Sequence, residues 1–161
     1  DCAVQPEFTA ALLKAAHNEG INTCVEITGA YPWERVKDIT EHADYVYYDL
    51  KCMDDAKHKE ATGASNKHVL ENAKRLVEAN KQIQFRTPLI PGCNDSYEDV
   101  KATAGFIRNE LGLSPIDYLE LLAYNNLGED KYLRMGADAP QRHKRQSDEY
   151  LDELNGLIAS I

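Results

Sequence analysis

The chain has 161 residues, 43% of them apolar and 28% charged, with a formal net charge of −9 and an isoelectric point near 5.0. Those values suit one soluble globular domain, or a large piece of one, and they exclude the basic footprint of a nucleic-acid binder. No run of about 18 apolar residues occurs, so no membrane span is expected, and the start Asp1-Cys2-Ala3-Val4-Gln5-Pro6 lacks the basic region of a signal peptide, so a cytoplasmic protein is expected.

Taken in chain order, residues 6–18 place Phe8, Ala11, Leu12, Ala15 and Ala16 on one helical stripe that Gly20 ends. Residues 21–27 (INTCVEI) predict a strand closing at Thr28-Gly29, and Pro32 opens a helix to about His42. Residues 43–50 (ADYVYYDL) are β-branched and aromatic and predict a second strand. A short helix over 54–61 and a longer one over 66–80 follow, the latter with Leu70, Ala73, Leu76 and Val77 inward. Residues 82–90 (QIQFRTPLI) predict a third strand, running into Pro91-Gly92. Ser96 and Asp99 start a capped helix to Leu111, and residues 116–123 predict the last strand. After a long irregular stretch, Leu151, Leu154, Leu157 and Ile158 mark a final helix from about Ser147.

Strands alternating with helices imply an α/β fold with a parallel sheet, either a (β/α) barrel fragment or a doubly wound open sheet. Four strands cannot close a barrel. The chain lacks an initiator Met and begins with a crossover helix, residues 1–20, that has no strand before it. A barrel reading therefore expects the missing strands upstream, with the whole of 1–161 one domain and 126–161 a C-terminal extension carrying the last helix.

In parallel α/β folds, ligand sites gather at the carboxyl ends of strands. Here those ends deliver Glu26, then Asp49 and Lys51, then Arg86, then Tyr124-Asn125. Two acids and two bases fit either a ligand site for a zwitterion or an ion-pair network that satisfies itself. Lys51 also fits a Schiff-base nucleophile of a barrel aldolase or lyase. His17, His42, His58, His68 and His143 are expected on helix surfaces, none of them on this rim. Cys2, Cys24, Cys52 and Cys93 are widely spaced, without a Cys-x2-Cys pair, and read as buried or loop thiols rather than as a metal site. Trp33, Tyr45, Tyr47 and Tyr48 read as packing residues, and Arg142-His143-Lys144-Arg145 as a solvated helix entrance. The stretch from Leu127 to Arg145 is a candidate cover for the rim, and Pro91-Gly92-Cys93-Asn94-Asp95 either a plain turn or part of a groove for a partner.

An ordered series of short motifs carries a resemblance. It comprises Gln5-Pro6-Glu7-Phe8, Gly20-Ile21-Asn22-Thr23-Cys24-Val25-Glu26, Tyr48-Asp49-Leu50-Lys51 and Gly63-Ala64-Ser65-Asn66. It continues with Pro88-Leu89-Ile90-Pro91-Gly92-Cys93-Asn94-Asp95, Leu121-Leu122-Ala123-Tyr124-Asn125-Asn126-Leu127-Gly128 and Lys131-Tyr132. From Gln5 to about Gly136 the chain resembles the pyruvate formate-lyase activating enzyme family of the radical S-adenosylmethionine (SAM) superfamily.

The resemblance implies the C-terminal part of a partial (β/α) TIM-like barrel. It implies an oxidoreductase that cleaves SAM reductively at a 4Fe–4S cluster, abstracts a hydrogen from a glycine of a partner glycyl-radical enzyme, and draws its electron from flavodoxin or ferredoxin. By the same resemblance, Asp49 and Lys51 match an Asp-x-Lys motif at the SAM site. Glu26 matches an acidic position near the SAM carboxylate and a monovalent cation, and Arg86 a basic residue over the pocket. Asn125 stands where relatives carry the His of Pro-Tyr-His; an amide hydrogen-bonds but does not titrate near neutral pH. No Cys-x3-Cys-x2-Cys cluster loop is present, and Asp1 stands where the Glu of a Gly-Gly-Glu motif is expected. No catalytic residue is therefore expected in the chain itself, which taken alone also fits a non-catalytic segment.

Overall fold

A computed structural model describes residues 1–138 and 143–161. After a turn of 3-10 helix at Cys2–Val4, the chain runs α1 (Pro6–Asn18), β1 (Cys24–Ile27), α2 (Trp33–Glu41) and β2 (Tyr45–Asp49). It continues through α3 (Asp55–Thr62), α4 (Lys67–Glu78), β3 (Ile83–Pro88) and α5 (Tyr97–Asn109). The one-turn α6 (Pro115–Tyr118), β4 (Leu119–Leu122), α7 (Glu129–Arg134) and α8 (Asp148–Ala159) complete it. The four strands form one parallel sheet in the order β1-β2-β3-β4.

That order separates the two architectures the sequence leaves open. Crossovers between parallel strands share one hand, so an unreversed order puts every crossover helix on the same face. A doubly wound sheet must instead reverse at a switch point. Burial along the strands agrees. Val25, Ile27, Val46, Tyr48, Ile83, Phe85, Thr87 and Leu119 are buried, while the alternate Cys24, Glu26, Tyr45, Tyr47, Gln84, Arg86 and Glu120 are half-buried or exposed. One face thus carries the helices and the other is bare, as in a wall of a barrel.

Helices close the covered face with the periodic residues the sequence offers: Val36 and Ile39 of α2, Val69, Ala73 and Leu76 of α4, Val100, Ala104 and Ile107 of α5, and Leu154 and Ile158 of α8. Full burial of a side chain such as Phe85 or Leu76 contributes about 1.5–3 kcal/mol. Ser96 caps α5 by accepting from the Asp99 N–H, and Gly63 ends α3 in the left-handed conformation.

Three expectations change. The first strand starts at Cys24, not residue 21, because the Thr23 N–H and hydroxyl both donate to the Asp44 carboxylate, at 2.7 and 2.9 Å. Residues 116–118 are helical rather than extended, since Ser114-Pro115 starts a turn with proline at its first position, and β4 begins at Leu119. On α1, Phe8 and Leu12 are 64% and 57% exposed; they line an open groove of about 470 Å³ along the β1 edge, and only Leu13 of that helix is buried.

One contact fixes how β1 leaves the sheet. Tyr48 is fully buried on β2, and its hydroxyl donates to the Val69 carbonyl at 2.7 Å. Gly29 passes directly over that hydroxyl with φ +64°, and a Cβ there would lie 1.7 Å from the Tyr48 oxygen. Gly63 has a similar φ of +79° but open space around it. Gly29→Ala is therefore expected to cost about 3 kcal/mol, backbone strain plus overpacking, and Gly63→Ala only about 1 kcal/mol, the strain alone, by chemical denaturation. Equal costs would remove the steric role of Tyr48.

Candidate functional site

The carboxyl ends of β1, β2 and β3 bring together four of the five expected residues on the bare face. Arg86 and Asp49 are register partners on adjacent strands, as are Glu26 and Tyr47. From β3, Arg86 stretches across β2. Its guanidinium lies 4.4 Å from the centre of the Tyr47 ring, and its terminal nitrogen reaches the Glu26 carboxylate at 2.5 Å. A cation over an aromatic face gains from the ring quadrupole, and more so when partly desolvated. Lys51, just beyond β2, holds Nζ 3.9 Å from Asp49 Oδ2, a pair at the limit of contact distance.

Burial acts oppositely on the two inner groups. It raises the Asp49 carboxyl above the ordinary aspartate range; Glu26 pushes the same way, and the charges of Lys51 and Arg86 oppose it. It pulls the Arg86 guanidinium down, but the Glu26 hydrogen bond and charge, with Asp49 and Glu120, outweigh it and hold the group above its usual value.

Ion pairs exist here, yet they leave the cluster incomplete. Asp49 Oδ1 and Arg86 Nε are buried side-chain atoms without a hydrogen-bond partner among the described residues. An unsatisfied buried polar atom costs about 1–3 kcal/mol, and such groups are rare in native proteins. One is an acceptor and the other a donor, carried by register partners on adjacent strands. A ligand with a hydroxyl or ammonium beside an acceptor oxygen would satisfy both. Lys51 also borders two cavities. One, of about 270 Å³, lies between the β1 and β2 exits with Asp1, Thr28, Tyr31 and Asp49; the other, of about 220 Å³, lies between the β2 and β3 exits with Cys52, Cys93 and Asn94.

The fifth expected residue stands apart. Asn125 is exposed beyond β4, and its Oδ1 accepts from the Leu127 N–H at 3.3 Å. Asp1 does reach the rim, accepting from the Thr28 hydroxyl at 2.8 Å. The expectation for the histidines fails at His58. It is buried and lines both cavities beside Lys51, with Nδ1 2.7 Å from the Ala64 carbonyl. The residues around it on α3 carry so weak an apolar stripe that no periodicity marks the inward face.

Tyr47, read from the sequence as a packing residue, packs under Arg86 at the rim, and buried amides that the sequence reading did not single out tie the loops around it. Asn72 donates to the Gly29 and Tyr31 carbonyls after β1 at 2.9 and 2.8 Å. Gln146 accepts from the Tyr124 N–H after β4 and donates to Asp95 after β3, both at 2.9 Å. His143 packs edge-on against Tyr124 with ring centres 5.4 Å apart. Part of the stretch expected to cover the rim, and Arg142 of the basic run, lie outside the described residues; Arg145 pairs with Asp148 at 2.8 Å.

The cysteines do not assemble. Cys52 is buried, Cys2 and Cys93 half-buried and Cys24 exposed, and burial raises the thiols of Cys2, Cys52 and Cys93. Among the described residues no group of three His, Cys, Asp or Glu is placed to hold a metal ion. Among the described residues no helix is long and apolar enough to cross a membrane.

A native pKa above the unfolded value means that the folded state binds the Asp49 proton more tightly. Stability then falls as pH rises from about 4, the ordinary aspartate value, through the raised one. Asp49→Asn removes that decline. The melting temperature of the variant relative to the wild type is expected to climb between pH 4 and neutrality in parallel thermal melts, and a pH-independent difference would contradict the burial argument.

Comparison with known proteins places the chain in a family and a fold. The model of the radical SAM superfamily matches residues 1–107. The chain is 40% identical over 133 residues to the (2S)-3-sulfopropanediol dehydratase activating enzyme of Klebsiella oxytoca, covering 83% of this chain and 42% of that one. It is 39% identical over 157 residues to the isethionate sulfite-lyase activating enzyme of Nitratidesulfovibrio vulgaris, covering 96% and 50%. With the 4-hydroxyphenylacetate decarboxylase activating enzyme of Clostridioides difficile it shares 31% over 158 residues, covering 96% and 49%. The chain thus spans about half the length of the curated relatives it matches. The fold is shared with a crystallised domain of pyruvate-formate lyase-activating enzyme from Bacteroides vulgatus, at a TM-score of 0.76 and 23% identity over 99% of this chain and 89% of that one.

Proposed function

The chain belongs to the radical SAM superfamily, and on that premise we propose that the protein containing it is a glycyl-radical enzyme activating enzyme, an oxidoreductase whose SAM lies on the bare face of this sheet. The two orphaned polar atoms, Asp49 Oδ1 and Arg86 Nε, carry this reading. SAM offers an ammonium and ribose hydroxyls as donors and a carboxylate as acceptor, the combination these atoms lack. Bound SAM supplies a sulfonium whose reductive cleavage yields a radical able to take a glycine hydrogen from a partner enzyme.

This chain's residues bind and orient. Asp49 accepts from a ligand donor in a partly buried place where that bond is strong. Arg86 is held by Glu26 and Tyr47, so its free Nε–H is aimed before the ligand arrives. Lys51 brings a positive charge to an anionic ligand group, and Asn125, with its Oδ1 taken by the Leu127 N–H, has its amide protons left for the ligand from the open side. Glu26, Asp49 and Glu120 set three carboxylates against the two cations Lys51 and Arg86, which favours a monovalent cation near Glu26. The 4Fe–4S cluster does not fit this chain, whose cysteines are scattered; its ligands belong to another part of the protein. A glycyl-radical enzyme as partner, flavodoxin or ferredoxin as donor and a cytoplasmic setting complete the reading, with residues 1–161 forming one domain at the C-terminal side of the barrel.

The test uses the protein at its full length, reconstituted anaerobically with iron and sulfide. Broad absorbance near about 400 nm is expected, together with calorimetric SAM binding that Asp49→Asn and Lys51→Ala each weaken about tenfold or more. Absence of SAM binding, or binding indifferent to both substitutions, would overturn the proposal.

A further inference from the structure

Lys51 stands in a segment without regular structure, residues 50–53, between the end of β2 and the start of α3. Its four consecutive carbonyls are each taken by a side chain from elsewhere in the fold. Thr87 Oγ1 donates to Leu50 O at 2.8 Å, and Asn94 Nδ2 to Lys51 O at 2.6 Å. Asn66 Nδ2 donates both its protons, to Cys52 O at 3.1 Å and Met53 O at 2.8 Å. All three donors are buried. They are also locked in their turn. The second amide proton of Asn94 goes to Pro88 O at 2.9 Å, and its Oδ1 accepts from Ile90 N at 2.6 Å. The Asn66 N–H donates to Asp55 Oδ1 at 3.0 Å; that carboxylate also accepts from Ser65 and Lys59 and is held well below the usual range by those hydrogen bonds.

A connection that only had to link β2 to α3 could leave its carbonyls to water, as most surface loops do. Here each acceptor is matched individually by a donor carried on α4 or on the β3 side, and at their centre is a half-exposed lysine facing two cavities. Ligand groups must be held within about half an ångström to be productive, which requires a locked supporting shell. We infer that Thr87, Asn66 and Asn94 are positioning residues that fix the backbone around Lys51, and so the approach of its ammonium to an anionic group of the ligand. The inference rests on the SAM reading above.

The experiment is a double-mutant cycle on SAM affinity in the full-length protein, with Asn94→Ala, Lys51→Ala and the pair measured by calorimetry. Asn94→Ala and Lys51→Ala are each expected to weaken binding about tenfold, and the pair to bind within about twofold of Lys51→Ala alone, because Asn94 acts through Lys51. Losses that multiply to about a hundredfold, or an Asn94→Ala protein with wild-type affinity, overturn the inference.

A second readout separates it from the SAM reading. Competitive acetylation, read by mass spectrometry without SAM, reports the reactivity of the Lys51 amine. Asn94→Ala is expected to change it about threefold or more while Lys14 and Lys101 stay as in the wild type. If Asp49→Asn and Lys51→Ala both leave SAM binding intact, the reading of the site fails while this rate still judges the positioning role. An unchanged rate overturns it. Should Asn94→Ala not fold, Thr87→Val, which keeps the side-chain shape and removes only the donor to Leu50 O, takes its place: a changed Lys51 rate supports the positioning role and an unchanged one overturns it.

Discussion

A parallel sheet packed by helices on one side only must carry two chemistries along every strand. Alternate side chains point to opposite faces, so each strand here offers one row to the helix layer and one to the bare face. The first row is apolar, from Val25 and Ile27 through Val46, Tyr48 and Phe85 to Leu119. The second is Glu26, Tyr47, Asp49, Gln84, Arg86 and Glu120. All-parallel sheets are normally covered on both faces. A bare row so densely charged needs a ligand or its own internal pairing, and this one has pairing that stops short.

The arm of Arg86 across Tyr47 shows how the shortfall arises. By turning toward Glu26 on β1, the guanidinium commits one terminal nitrogen and leaves Nε unpaired, on the strand beside Asp49, its residue's register partner. A set optimised only for stability would close that gap, since leaving a buried polar atom unpaired costs about as much as a good hydrogen bond contributes. The arrangement keeps a donor and an acceptor ready on a fixed frame instead. Stability given up at a site in this way is the usual mark of binding machinery.

Around this face the strand exits are tied by buried side-chain amides. Asn72 holds the exit of β1, Asn66 and Asn94 that of β2, and Gln146 bridges the exits of β3 and β4. An amide offers two protons and an acceptor in one rigid plane, which suits loops whose carbonyls have no ladder to join. The loops are thereby held by the helix layer, and the polar residues inherit its rigidity. Gly29, pressed against the Tyr48 hydroxyl, serves the same end by steric means.

Much of this was legible in the amino-acid order. Periods of two and 3.6 residues located the strands and helices; the misplaced strand boundaries lie where a side chain, Asp44, or a proline turn at Ser114-Pro115 overrides local propensity. The alternation of elements announced the parallel sheet, and the positions of Glu26, Asp49, Lys51 and Arg86 at strand ends announced a rim. The register did not follow from order. Which charge meets which, that Tyr47 lies beneath Arg86, that Asn125 turns back on its own backbone, and that His58 is buried all depend on how separate strands and helices dock. Asn66 stood at the expected start of a helix and Asn94 in a turn motif, but their partners lie as much as 14 and 43 positions away in the chain. Local periodicity records which face a residue takes, because that is fixed by backbone geometry. The pairing of faces is decided only when the layers pack, because the contacts that select it are between residues the chain keeps far apart.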